Sequence, residues 1–365
     1  MFVSKHHYAV ELARKGNHVY FLNPPNYEHR DFSETVEIKP SNFHSNLFLI
    51  QDNILFPFNI KFHFIGLFHL LIRRHVKEIL RKINKPVDIV WSFDMAQVYP
   101  LNYFVDSTIK IFHPVDYPFN KTAIGAARGA QFIFSTAKEI LEKYEGYKVP
   151  KQFINHGIAG DFLTEEKRQK SGNTIRVGFS GNLLRNDIDR NTLLAIILDN
   201  QEIVFEFWGS YEFKDANLSG SNDEVSINFI NELRRSKNVI LHGPVSTGML
   251  AKSLQCMDAF LICYDLTVKN ANGPNYHKVI EFISTGKVTI SNNITTYKDE
   301  PELIQMITER ENNRSLPALF KKVTADLSFY NSVSLQEKRI AFAGDNTYNK
   351  QIGRIETILS LQRKG

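Results

Sequence analysis

Cysteine is almost absent from this chain: Cys256 and Cys263 are its only two in 365 residues, and both sit in one apolar stretch. A disulfide framework is thereby excluded, and the usage fits a reducing cytosol. No run of about 18 uncharged apolar residues occurs, so no membrane-spanning helix is expected. No secretory signal is read, because His6, His7, Glu11 and Arg14 stand where an apolar segment would be needed. That argues against an exported two-domain binding protein. No Gly-x-Gly-x-x-Gly follows a strand-like run, and Gly178-Phe179-Ser180-Gly181 does not supply it, which argues against a Rossmann dehydrogenase. Short-period repeats and low-complexity segments are missing too. The net charge of +5 is too mild to call for nucleic acid. What remains is an ordinary globular composition, 43% hydrophobic and 23% charged. At this length two domains of about 150–180 residues are expected.

Strand-like apolar runs alternate with helical patterns throughout. A helix over 5–15 stops at Gly16. Strands follow at 18–23 and 47–51, a helix at 65–83, strands at 87–92, 109–113 and 131–135, a helix at 138–144 and a strand at 152–155. This is a doubly wound parallel α/β pattern. Its opening is unusual, since such a domain starts with a strand and here the helix begins almost at Met1. Either the first strand is missing from this chain or the domain begins with a helix. The polar stretch 164–173 reads as an interdomain linker. Beyond it, strands at 175–180, 203–208, 239–242, 259–263 and 288–291, with helices at 189–199 and 229–236, describe a second open parallel sheet. A last helical pattern at 346–361 puts Ile352, Ile355, Ile358 and Leu359 on one face. That face must pack somewhere, and crossing back to the first domain is one way.

The densest signal is the stretch 273–291, which reads as loop, helix, glycine stop and buried strand. Gly273-Pro274 opens the helix, because proline needs no N–H partner in a first turn, and Gly286 ends it. Lys278 and Glu281, three apart, share one face near the helix start. A cation beside free backbone N–H groups suits a diphosphate, and a carboxylate suits a sugar diol. The same pattern also fits an ordinary βαβ unit with a surface ion pair. Ligands of open α/β sheets bind beyond the carboxyl ends of the strands. Gly181, Asn182 and Arg185 follow the first strand of the second domain, Gly209 and Ser210 the second, and Gly243, Pro244 and Val245 the third. Gly181 lets a backbone approach phosphate closely, and Arg185 can fork two oxygens.

These loops resemble the nucleotide-sugar half of GT-B glycosyltransferases, particularly the family-four-like group, over most of the chain. The most specific match is Pro274-Asn275-Tyr276-His277-Lys278-Val279-Ile280-Glu281-Phe282-Ile283-Ser284-Thr285-Gly286-Lys287. It follows the family's order of Lys, two apolar residues, Glu, an aromatic, two residues and a small-Gly-Lys end. Residues 4–19 and Asn155-His156-Gly157-Ile158 are similar to the family's first helix and interdomain strand. The resemblance implies two Rossmann-like doubly wound domains facing a cleft. The acceptor side would be 1–165, with the helix at 346–365 packing back on it, and 170–335 would bind the nucleotide-sugar. It implies that Glu281 accepts from the ribose hydroxyls, that Lys278 and Arg185 bind the diphosphate, and that residues 243–245 approach the base. His113 resembles the histidine that the family places near the sugar. Two departures stand out. Gly273 occupies the position of a second carboxylate in many members, leaving that role empty or to a residue such as Asp265. The missing first strand would remove the glycine loop that faces the donor phosphates.

The resemblance further implies hexosyl transfer from a nucleotide-diphosphate sugar, UDP before GDP, with no cofactor and no metal. Asp187 and Asp189 form an Asp-x-Asp, but at a helix start they read as an N-cap pair. Asp116 is the general-base candidate if configuration inverts, and no enzymatic base is obligatory if it is retained. His113 also fits a satisfied histidine at a strand end, and Asp116 a turn. Residues 61–85 carry Lys61, Arg73, Arg74, Lys77, Arg81, Lys82 and Lys85 against Glu78 alone, together with Phe62, Phe64, Ile65, Leu67, Phe68, Leu70, Leu71 and Ile72. That suits anionic lipid, and it also fits a core helix with a solvated basic face. The expectation is a cytoplasmic enzyme of polysaccharide or cell-envelope synthesis, peripheral on the inner membrane face, acting on a saccharide or lipid-linked acceptor. The alternative is a catalytically impaired nucleotide-sugar-binding or scaffold protein of the same fold.

Overall fold

The computed structural model describes residues 3–25, 35–163, 172–213, 223–268 and 274–362. The chain divides into two compact units, Met1–Asn155 with Tyr348–Gly365, and His156–Thr347. The polar stretch read as a linker lies, over 164–171, outside the described residues.

The first unit opens with the helix Ser4–Arg14 and carries two sheets. Strands β1 (Val19–Leu22), β2 (Val36–Pro40) and β3 (Leu47–Asp52) pair in the order β1-β3-β2. Strands β4 (Ile89–Ser92), β5 (Ile109–Phe112), β6 (Phe132–Ser135) and β7 (Lys151–Phe153) form a parallel sheet in that order. The parallel expectation fails at β2, which runs antiparallel to β3. Residues 41–46 that join them are too few for a crossover, so the chain can only fold back. β2 escaped the sequence reading because it alternates Val36, Glu37, Ile38, Lys39 and ends exposed, where a continuous apolar run was sought. Among the described residues no strand pairs β1 with β4. Tyr8 of the first helix packs in one core with Ile111, Phe134 and Ile154 and with Tyr348, Ile352, Ile355 and Leu359 of the last helix, Tyr348–Gln362. Lys15 Nζ holds Glu356 Oε2 at 2.8 Å at the edge of this contact.

The second unit is a six-stranded, all-parallel sheet: β8 (Arg176–Ser180), β9 (Val204–Trp208), β10 (Val239–Gly243), β11 (Ala259–Ile262), β12 (Val288–Ser291) and β13 (Ile304–Met306). Their order is β10-β9-β8-β11-β12-β13. The chain steps outward from β8 to β10, then returns to the other side of β8 with β11. The carboxyl ends of β8 and β11 are thus neighbours at the point where the winding reverses, where such sheets bind ligands. Asp223 caps the helix Glu224–Arg235 by accepting from Ser226 N, so this helix starts earlier than the apolar pattern suggested. Strand β13 and the helices Thr247–Leu254, Leu316–Ala325, Leu327–Tyr330 and Val333–Asp345 went unread. In the last of these Arg339 is wholly buried. Its guanidinium donates to the carbonyls of Gly286, Glu302 and Tyr330 at 2.8–3.0 Å, which offsets part of the cost that burial puts on its charge.

Candidate functional site

The site grows from glycines at the ends of adjacent strands. Gly181 N donates to Trp208 O at 2.8 Å, Leu183 N to Ser210 O at 2.8 Å, and Gly209 N to Gly243 O at 2.9 Å. These bonds lace together the loops after β8, β9 and β10. They draw two backbones into contact: a Cβ on Gly209 would lie 2.1 Å from Gly181 O, and Gly209 has φ 127°. A Cβ on Gly181, at φ 144°, would lie 2.5 Å from Lys278 Nζ. Only glycine fits either place.

Lys278 comes from the helix His277–Ile283. Its ammonium donates to the Tyr264 hydroxyl and stands over the rings of Phe179 and Tyr264, 4.7 and 4.8 Å from their centroids. Among the described residues it makes no ion pair. Burial, and then the neighbouring Arg185 charge, push its pKa down to about 7, against the opposing pull of Asp187 and Glu281. Arg185 does not present a free fork. Its Nε and a terminal nitrogen grip Asp187 Oδ1 and Oδ2 at 2.7 and 2.5 Å, and this bidentate bond, ahead of every other influence, raises its pKa. The pair also corrects the reading of Asp187 and Asp189 as two caps. Only Asp189 caps, accepting from Thr192 N at 3.1 Å. Asp187 is the counter-ion of Arg185 because the tight turn sets them two residues apart.

Glu281 lies on the same helix as Lys278, its side chain 13% exposed. Pro274 does not open that helix. It stands three residues earlier, its carbonyl held by Thr296 N and Oγ1, with Tyr276 extended as the N-cap. Asn275 is buried beside it. Asn182 Oδ1 accepts from Leu184 N at 2.9 Å and shapes the loop after β8. Val245 packs against the core of the unit. Asp265 Oδ1 accepts from Thr267 N and Oγ1 in a local turn, and Gly273 lies outside the described residues.

His113 and Asp116 belong to the first unit. His113, at the end of β5, is wholly buried. Trp91 Nε1 donates to its Nδ1 at 3.3 Å, and its ring stacks on Trp91 and Phe93. Burial pushes its pKa down to about 3. It is therefore neutral with its proton on Nε2, a buried N–H without a partner among the described residues. It can donate a hydrogen bond but is poorly placed to take a proton. Asp116 is exposed. Asp94, which follows β4, accepts from the N–H groups of Ala96, Val98 and Tyr99 and is spent on its own turn.

Within the second unit, then, Gly181, Gly209, Gly243, Arg185 and Lys278 come together at the sheet's switch point, with Glu281 one turn along. The sequence reading missed Phe179, Tyr264 and His277. The first two could have been found by asking what ends β8 and begins the segment after β11.

No protein-family model matches this chain, and no curated protein does. Solved structures match over nearly its whole length. Sucrose-phosphate synthase from Thermosynechococcus elongatus is 12% identical, covering 97% of this chain and 92% of its own, with a TM-score of 0.67. A glycosyltransferase from Rickettsia africae is 13% identical over 97% and 93%, at 0.68. Anabaena HepE in complex with UDP and glucose is 11% identical over 86% and 87%, at 0.60. At such identities the likeness is one of fold. The chain has the GT-B fold, two Rossmann-like domains, which these glycosyltransferases share.

Replacing Gly209 by alanine should destabilise the second unit by more than about 1 kcal/mol, since the new Cβ meets backbone and φ is positive. Urea denaturation measures it, and an unchanged midpoint would contradict the packing of the two loops.

Proposed function

We propose that the protein transfers a sugar from a nucleotide-diphosphate donor, UDP before GDP, to a saccharide or lipid-linked acceptor without a metal ion. The observation that carries this reading is the Lys278 ammonium. It is drawn away from water, given no counter-ion among the described residues, and set against the bare backbone of Gly181 where the winding of the sheet reverses. An unpaired cation in such a place is costly, and a diphosphate supplies the missing charge. During transfer, negative charge grows on the departing diphosphate. A cation already in place there stabilises the transition state without reorganising. Arg185, tied to Asp187, adds its field rather than a fork. Asp187 and Asp189 are committed to Arg185 and to the cap, which is why a metal site is not assigned to them. Glu281 is the acceptor for the ribose hydroxyls, and residues 243–245 are assigned to the base. His113 is assigned to the neighbourhood of the sugar, although its ring is wholly buried. Asp116 is the base if configuration inverts.

The second partner is an anionic bilayer surface. No described helix is long and apolar enough to cross a membrane. The helix Ile65–Ile83 buries Phe68, Ile72, Val76 and Ile79 yet leaves Leu67 and Leu70 exposed, with Phe62, Phe64 and Ile65 exposed before them. Arg74 and Lys77 continue that outer face. Not every cation of the segment is available. Lys61 donates to the carbonyls of Ala96 and Gln97, Arg73 stacks on Tyr103, and Arg81 is forked to Glu78. A lipid-linked acceptor would suit such a surface.

Nucleotide release from a panel of sugar donors tests the transfer reading; tight binding without turnover on any acceptor would instead indicate the impaired or scaffold protein. Glu281→Ala should weaken UDP binding by about 1–3 kcal/mol, the cost of buried hydroxyls left unpaired.

The pH dependence has a definite sign. Lys278 is half-protonated near pH 7 in the free protein, and an anion beside it raises that pKa. Binding therefore takes up a proton, and affinity for UDP should fall as pH rises above 7. Lys278→Met should weaken binding and flatten this dependence; an unaltered profile in that variant would remove Lys278 from the site.

Sedimentation with phosphatidylglycerol vesicles at low salt should carry the protein down, and salt should release it. Arg74→Glu with Lys77→Glu should weaken this by about 1 kcal/mol per cation lost. Equal behaviour with phosphatidylcholine vesicles would exclude the electrostatic contact.

A further inference from the structure

One residue inside the 274–287 pattern has a geometry that nucleotide binding by Lys278 and Glu281 does not explain. His277 begins the helix, and both of its ring nitrogens face acceptors. Nδ1 lies 3.2 Å from Glu281 Oε1, and Nε2 lies 3.2 Å from the carbonyl oxygen of Gly157. A carboxylate and a carbonyl have no proton to give. A neutral imidazole carries one N–H, so one of the two contacts would set lone pair against lone pair. An imidazolium donates to both. Burial is the largest influence on this ring and opposes the charge, but the Glu281 hydrogen bond and charge, with the Gly157 carbonyl, outweigh it and raise the pKa. Among the described residues His156 also meets the ring, edge-on with centroids 5.2 Å apart. Lys278, the next residue, turns its ammonium to Tyr264 instead. Glu281 Oε2 has no partner among the described residues.

We propose that His277 is a positioning residue of the nucleotide site: as an imidazolium anchored on the Gly157 carbonyl, it holds Glu281 by Oε1 and leaves Oε2 presented to the ribose diol. This rests on the assignment of Glu281 to the ribose. A charge-assisted bond fixes the carboxylate before the ligand arrives, which lowers the ordering cost of binding. When the ring loses its proton the hold weakens, so ribose-dependent affinity falls. Inorganic pyrophosphate has no ribose and is insensitive to His277. It shares the Lys278 dependence, and each ligand's own ionisation cancels when variant and wild type are compared, so the two titrations separate.

The experiment combines NMR titration of the His277 ring in the free protein with calorimetry of UDP and of inorganic pyrophosphate, from about pH 6 to 8.5. His277 should titrate above the ordinary value of about 6.5, and lower in Glu281→Gln. His277→Leu should weaken UDP binding roughly tenfold at pH 6, leave pyrophosphate binding unchanged, and lose the part of the pH profile peculiar to UDP. His277→Gln, with a single donor group, should recover part of the affinity without that pH step, and it serves if the leucine variant does not fold. A ring that titrates at or below the ordinary value and ignores Glu281→Gln would overturn the proposal. So would equal losses for UDP and pyrophosphate. Failure of the wild-type protein to bind UDP would overturn the nucleotide reading beneath it, and the proposal with it.

Discussion

A half-buried ammonium group that makes no ion pair among the described residues is the constraint around which the second unit is organised. Lys278 is kept in place by what lies beneath it: the faces of Phe179 and Tyr264 and the Tyr264 hydroxyl. Above it there is room only because Gly181 has no side chain. Gly181 in turn is pressed by Gly209, which is tied to Gly243. Three strand ends and one helix are thus mutually dependent. A methyl group added at either of the first two glycines meets another group at well under van der Waals distance. The arrangement leaves a charge with which no described carboxylate forms an ion pair.

The charges around it are arranged in pairs that leave Lys278 alone. Arg185 is paired with Asp187, Glu281 is held by His277, and Asp189 is used in a helix cap and accepts from Asn313. In the first unit His113 is sealed among aromatic rings and neutral, with an Nε2–H that has no partner among the described residues. The helix Ile65–Ile83 of that unit is likewise divided. One face belongs to the core, and the other carries leucines and cations outward.

Much of this was legible in the residues. The helix from 65 to 83 and the strands at 109–113, 203–208 and 288–291 follow from dense runs of β-branched, aromatic or amphipathic residues, which are local signals. Lys278 and Glu281 were legible for the same reason, since three-residue spacing on a helix guarantees a shared face. What failed was either too short or governed by partners elsewhere. β2 is half polar and its direction is set by the length of its connection. β13 has three residues. Pro274 carries a helix-start signal that the hold of Thr296 on its carbonyl overrides.

The chain by itself determined two α/β halves, a row of glycines at strand ends, and a lysine and a glutamate one helical turn apart, because periodicity and spacing are properties of neighbouring residues. Only the tertiary structure decided that Arg185 closes on Asp187, that Tyr264 and Phe179 form the seat of Lys278, that His277 grips Glu281 against Gly157, and that His113 loses its charge. Those outcomes depend on burial and on contacts between strands and loops far apart in sequence. Desolvation and pairing act only on groups that folding has already brought together.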